Sequence, residues 1–259
     1  MAAALQRALG AAEPGRSRVP VLVLGPARSG RSALLFRAAL GGARALFLAP
    51  RALQRLPGAR RAGSCLQHVQ FLYPPSLPDL LRLLASLPPS PPGPPALILL
   101  DGLEHYLAGR SGPQAAARLS ALLVDTASHL AGGLGPDPQG SGPGPGVQLI
   151  ASLRVSGEAE TDEHLGVLQR YFPARCWLCP DPAAALGQED CEGDRLFRAR
   201  LTQPGAPDQE WRVGFSLDGE MTVSPLPGGR AEHPGSPLDT AGAEKSPRGS
   251  GRLPAPLQL

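Results

Sequence analysis

The chain has 259 residues, 42% of them hydrophobic, which suits one domain with a substantial core. No apolar run approaches the roughly 20 residues of a membrane span, so membrane-embedded functions are excluded from the reading. The net charge is only +3, but it is uneven: through Ser120 there are 14 arginines and 4 acids, and after it 11 basic and 18 acidic residues. The basic half is either a surface for an anionic partner or a solvated face.

Residues 1–18 are rich in Arg and Ala with one acid, Glu13, and are expected as a flexible segment with a short frayed helix rather than a transit peptide. Val19 to Leu24 is a continuous apolar, β-branched run, which predicts a buried strand. The turn GPARSGRS follows at Gly25–Ser32, and SALLFRAAL predicts a helix that Gly41-Gly42 stops. Ala45 to Ala49 is a short strand, Arg51 to Ser64 a loop or broken helix, and His68 to Tyr73 a strand ended by Pro74-Pro75. Ser76 caps the helix LPDLLRLLASL. Ala96 to Leu100 is a buried strand ending at Asp101. Gln114 to Leu130 is a long amphipathic helix, Val147 to Ser152 a strand, and a helix runs from Thr161 to about Tyr171. Short strands follow at Arg175–Leu178, Leu196–Leu201 and Trp211–Ser216, with a turn at Asp218-Gly219. The Pro/Gly-rich runs at Pro88–Pro95 and Pro136–Gly146 read as loop insertions. Residues 225–259 read as a disordered tail, which leaves 19–224 as the domain. Strands that alternate with helices imply an α/β fold with a mostly parallel sheet and a β-hairpin region at the C-terminal end.

The chemistry is concentrated at the ends of strands. GPARSGRS fits G-x-x-x-x-G-K-[ST] at every fixed position except that Arg31 replaces the lysine. Gly25, Pro26, Ala27, Arg28, Ser29, Gly30, Arg31 and Ser32 would wrap a phosphate with backbone N–H groups, helped by the positive end of the following helix. Arg31 would have to do the lysine's work with a larger, planar, forked cation. All but one of the 25 basic residues are arginine, the exception being Lys245, so Arg31 fits a chain-wide drift from Lys to Arg. ALILLD ends on Asp101, placed to hold Mg²⁺ together with Ser32; a capping or turn aspartate is the plainer alternative. Glu104, one turn on, is either an acid that orients a water or a surface acid. Arg51, Arg55, Arg60 and Arg61 form a cluster that fits either single-stranded DNA phosphates or a solvated loop.

Four cysteines (Cys65, Cys176, Cys179, Cys191) without a secretory leader suggest a reducing compartment. CWLC at Cys176–Cys179 falls in a predicted strand, where the two thiols face opposite ways, so buried thiols are favoured over a zinc knuckle with Cys191 or His164. FRAA at Phe36–Ala39 matches an F-x-x-A binding pattern but is expected as core.

The order of elements resembles the RecA-type recombinase core, with GPARSGRS like its Walker A loop and ALILLDGLE like its Walker B strand. FLYPPS, LILLDGLEHYL, LQRYFPARCWL and FSLDGEMTV are similar to the small recombinase-paralogue ATPases associated with a SWIM-type zinc-finger protein, the vertebrate Shu-complex type. The resemblance covers about Val19 to Val223 and implies a RecA-like P-loop NTPase core. It implies ATP and Mg²⁺ as cofactors, with single-stranded DNA stimulating hydrolysis. Its implied partners are the SWIM protein in a heterodimer, RecA-type recombinases and their paralogues. The implied setting is homologous recombination repair in the nucleus.

Three departures bear on turnover and DNA contact. The family's loop carries lysine where Arg31 stands. RecA-type hydrolases carry a catalytic glutamate just after the second strand, and here that stretch is Ala49-Pro50-Arg51. The stretch Ser152–Arg154 lacks the coupling glutamine, and the loop after it is acidic through Glu158, Glu160, Asp162 and Glu163. Two readings remain: a slow ATPase using Arg31, Asp101 and Glu104, or an adaptor that kept the fold and lost turnover. A metabolic P-loop kinase would need a basic lid, and none is evident.

Overall fold

A computed structural model describes residues 3–10, 18–53, 63–87, 93–109, 112–132, 146–155, 163–182, 195–216 and 220–226. These all lie in one compact unit, Met1–Gly228; residues 229–259 belong to a second unit outside the described residues.

The apolar run before the loop becomes β1 (Val21–Gly25), buried along its whole length. Its residues alternate between two cores: Val21 and Val23 pack into one, Leu22 and Leu24 into the other. A strand buried on both faces is what a continuous apolar run produces, and each fully buried leucine contributes about 1.5–3 kcal/mol. β2 (Ala45–Leu48), β3 (Val69–Leu72), β4 (Leu97–Leu100), β5 (Gln148–Arg154) and β6 (Ala174–Pro180) complete a parallel block with β1. β7 (Arg195–Gln203), β8 (Ala206–Phe215) and β9 (Met221–Pro225) extend it antiparallel. The strand order is β3-β2-β4-β5-β1-β6-β7-β8-β9. The expected mostly parallel sheet with a hairpin end is therefore what forms; the turn at Asp218-Gly219 lies outside the described residues.

Helices cover both faces of the parallel block. α1 (Ala3–Ala8) and α2 (Arg31–Ala39) lie over one core, where Phe36 and Ala39 of the FRAA stretch are buried. α3 (Leu77–Ala85), α4 (Leu103–Leu107), α5 (Pro113–Gly132) and α6 (Glu163–Tyr171) cover the other. Ser76 caps α3 by accepting from the Asp79 N–H at 3.3 Å. In α5, Ala116, Leu119, Leu123, Ala127 and Leu130 form the buried helical stripe.

Two differences from the sequence reading are clear. Composition predicts a flexible segment over residues 1–18, whereas Leu5 and Leu9 at the N-terminus are fully buried against α2 and the Ala4 N–H donates to Gln148 Oε1 at 2.8 Å. The i, i+4 spacing of Leu5 and Leu9 supplies the apolar stripe that docks it. The stretch after Asp101 folds as the separate short helix α4, and Gly63–His68 forms a 3₁₀ turn.

Candidate functional site

The loop after β1 is shaped by two glycines. A Cβ on Gly25 would lie 2.6 Å from Ser29 Oγ and 2.9 Å from the Leu178 carbonyl oxygen. Gly30 has φ 84° at the N-terminus of α2, and a Cβ there would lie 1.9 Å from Cζ of Phe215. The ring of Phe215 on β8 therefore sits directly against the loop's second glycine. Arg28 also has a positive φ, 61°. The Leu34 N–H donates to the Gly30 carbonyl at 2.9 Å, which starts the helix and leaves the N–H groups before it to face the loop. Ser29 is 1% exposed, and its hydroxyl has no hydrogen-bond partner among the described residues. A cradle of this form suits a phosphate.

Strand register brings the acids to the same edge. β5 lies between β1 and β4, pairing Gly25 with Arg154 and Leu100 with Ala151. Asp101 leaves β4 with its N–H on the Leu48 carbonyl at 2.8 Å. Ser152 Oγ donates to Asp101 Oδ1 at 2.6 Å and accepts from the Gly102 N–H at 2.9 Å. Gly102, with φ 77°, is the left-handed N-terminus of α4. That short helix carries Glu104 into the site.

Glu104 is a largely buried partner rather than a surface acid. Its side chain is 16% exposed; Oε1 lies 3.5 Å from Arg31 Nη2, and Oε2 accepts from the Arg154 N–H at 2.9 Å. Arg31 is 12% exposed, and its Nη1 donates to the Gly25 carbonyl at 2.6 Å. Burial lowers the Arg31 pKa; Glu104 and Asp101 oppose that shift, and Arg154 adds to it. The Tyr106 hydroxyl donates to the Pro74 carbonyl at 2.9 Å, and burial, then the charge of Asp101, raises its pKa.

A cavity of about 300 Å³ opens between these groups, lined by loop residues Ala27, Arg28, Arg31 and Ser32 and by Asp101 and Glu104 opposite. Arg51, placed by sequence with the DNA-contacting cluster, lines this cavity as well. Arg55, Arg60 and Arg61 lie outside the described residues, as do Cys191 and most of the acidic loop after Arg154. Sequence reasoning missed Ser152, Arg154, His105 and Phe215. A serine ending an otherwise apolar strand is a readable signal for Ser152; Phe215 gives none, because only the fold brings it to Gly30. In CWLC, Cys176 is buried and Cys179 exposed, and burial pushes the Cys176 thiol up to about 12. Among the described residues no helix is long and apolar enough to cross a membrane.

No family model matches the chain. Two curated relatives do. ATPase SWSAP1 of Homo sapiens is 44% identical over 220 residues, 80% of this chain and 90% of the relative. ATPase SWSAP1 of Mus musculus is 42% identical over 272 aligned residues, 99% of this chain and 94% of the relative. The chain belongs to the SWSAP1 ATPase family. The resemblance to the recombinase-paralogue ATPases is thereby borne out. Among solved structures, the RadB recombinase matches at TM-score 0.53 and 15% identity over 84% of this chain and 95% of that one. A second solved structure, also an ATPase domain, matches at TM-score 0.52 and 11% identity over 79% of this chain and 84% of that one. The fold of this SWSAP1 family member is that of RecA-like ATPase domains.

Proposed function

We propose that the chain binds Mg·ATP at the cavity between Gly25–Ser32 and Asp101 and hydrolyses it slowly, as the nucleotide-binding subunit of a recombination-repair complex. One observation carries this reading most directly: a glycine-cornered loop at a helix N-terminus faces an aspartate fixed by Ser152 across one cavity. The backbone of Gly25–Ser32 would hold phosphate oxygens, and Ser32 with Asp101 would hold Mg²⁺. The donor set fits that ion: a hydroxyl and a carboxylate are hard oxygen ligands. When bound, Mg²⁺ supplies charge neutralisation between phosphates. Ser152 fixes one oxygen of Asp101 and so orients the carboxylate before any ligand enters. Arg31 buttresses the loop through the Gly25 carbonyl, and Glu104 sets the position of Arg31 and is the acid nearest to hand for orienting water.

Slow turnover follows from what the site's acids and cations already do. Both oxygens of Glu104 are engaged, and Ala49-Pro50-Arg51 contributes no carboxylate to the cavity wall. Those two observations also favour the second reading, an adaptor on a RecA-like fold that stabilises its partners. In either case the partners we assign are a SWIM-type zinc-finger protein in a heterodimer, RecA-type recombinases and their paralogues, and single-stranded DNA. The DNA contact we assign to the arginine run that includes Arg55, Arg60 and Arg61, and the compartment is the nucleus. The test is Mg·ATP binding by Asp101→Ala. Affinity should fall at least about tenfold while partner binding holds; an unchanged affinity would sink the assignment.

A further inference from the structure

The cavity carries more positive charge than a phosphate loop with one cation requires. Arg28, Arg31, Arg51 and Arg154 line it against two acids, Asp101 and Glu104. The acids are already committed within the fold. Glu104 is held by Arg31 and by the Arg154 N–H, and Asp101 by Ser152. Arg31 is committed too, with one guanidinium nitrogen on the Gly25 carbonyl and the other facing Glu104. The residue at the lysine position is thus a structural tie within the loop. A phosphate that claimed Arg31 would first have to displace a largely buried carboxylate.

Arg51 is different. It is exposed, lines the cavity, and makes no ion pair or hydrogen bond among the described residues. Its place is fixed by the sheet: β2 pairs with β4 so that Leu48 lies beside Leu100, and the Asp101 N–H binds the Leu48 carbonyl. Arg51 therefore stands on the Asp101 side, opposite the loop. In phosphate-loop sites the loop backbone cradles the inner phosphates, and the metal bridges outward to the terminal one. The wall that holds Asp101 is the one a terminal phosphate reaches. A guanidinium presents a planar fork that matches phosphate oxygens.

We propose that Arg51 reads the terminal phosphate of a nucleoside triphosphate, supplying the cationic contact that Arg31 cannot give. This rests on the nucleotide-site reading above and separates Arg51 from Arg55, Arg60 and Arg61. The experiment measures dissociation constants for Mg·ATP, Mg·ADP and a single-stranded oligonucleotide, using the full chain as wild type, Arg51→Ala, Arg51→Lys and Asp101→Ala. Arg51→Ala should weaken Mg·ATP about tenfold or more, the scale of one lost charge-assisted contact. Mg·ADP should change less than about threefold, and Arg51→Lys should recover part of the loss. Equal losses for ATP and ADP, no loss for either, or a loss confined to the oligonucleotide would overturn the proposal. The two failures are distinguishable. If Asp101→Ala loses nucleotide and Arg51→Ala does not, only Arg51 is misassigned. If the wild type binds no Mg·ATP, the site reading itself fails and the proposal with it.

Discussion

The parallel block and the antiparallel end handle charge in opposite ways. β1, β2 and β4 are buried throughout, so their only chemistry is where the chain leaves them, at Gly25, Ala49–Arg51 and Asp101. β7 and β8 carry charge along their length. Asp181 just after β6 lies 2.8 Å from Arg212 and 3.8 Å from Arg198, and Arg200 lies 2.7 Å from Asp208. There the arginines and acids pair off on one face, which leaves that face little free charge to offer a ligand. In the parallel block, two-sided burial pushes every polar group to one edge, where they meet. Ligand sites at the carboxyl ends of parallel strands follow from that confinement. The two regions touch at one telling point, the ring of Phe215 on Gly30.

The sharpest way to break this comparison is to cut each region's core. Phe47→Ala in β2 removes a fully buried ring and should cost about 3–5 kcal/mol, whereas Val223→Ala in β9, only partly buried, should cost less than about 1 kcal/mol. Similar losses in chemical denaturation would mean the antiparallel end is as structurally committed as the parallel block.

The contact between the regions is the next target. Gly30→Ala forces a side chain into a positive φ, which alone costs about 1–3 kcal/mol, and drives its Cβ into Phe215. We expect lower thermal stability together with weakened Mg·ATP binding. Adding Phe215→Ala should restore part of the nucleotide affinity, because the clash is gone while the φ strain stays. A double mutant no better than Gly30→Ala would show that the ring does not bear on the loop.

Much of this arrangement is legible in the sequence. VPVLVLG, ALILLD and GPARSGRS each name a strand or turn by local pattern, and the edge site follows from their order. What cannot be read depends on tertiary contacts. The five-residue helix that presents Glu104 is too short to show periodicity. The pairing of Glu104 with Arg31 joins residues 73 positions apart. Leu5 and Leu9 give only one turn of apolar spacing, so their docking is not visible. Arg51 reads as part of a basic loop because sequence neighbours, not cavity walls, are what a sequence displays.

Ser152→Ala tests the edge site more gently. It leaves the buried Gly102 N–H without its acceptor and frees Asp101, for about 1–2 kcal/mol of stability. Nucleotide affinity should fall less than in Asp101→Ala; a loss as large would make Ser152 more than a support.

The smallest effect concerns pH. Burial raises the Cys176 thiol from 9.0 to about 12, so the fold favours its protonated form. The contribution is whole below pH 9 and is lost as pH rises toward 12; the raised Tyr106 acts with the same sign. Stability should therefore decline with alkalinity across that window, and Cys176→Ser should flatten the decline. In the native protein at neutral pH, alkylation followed by mass spectrometry should mark exposed Cys179 and spare Cys176.

The most direct test is ATP turnover with and without single-stranded DNA, by the chain co-expressed with a SWIM-type partner, as wild type, Arg31→Lys and Asp101→Ala. We expect slow wild-type turnover that DNA accelerates and Asp101→Ala abolishes, which would make GPARSGRS a working loop with an arginine at the lysine position. Turnover confined to Arg31→Lys, or unchanged by Asp101→Ala, would contradict this and leave an adaptor on a RecA-like fold.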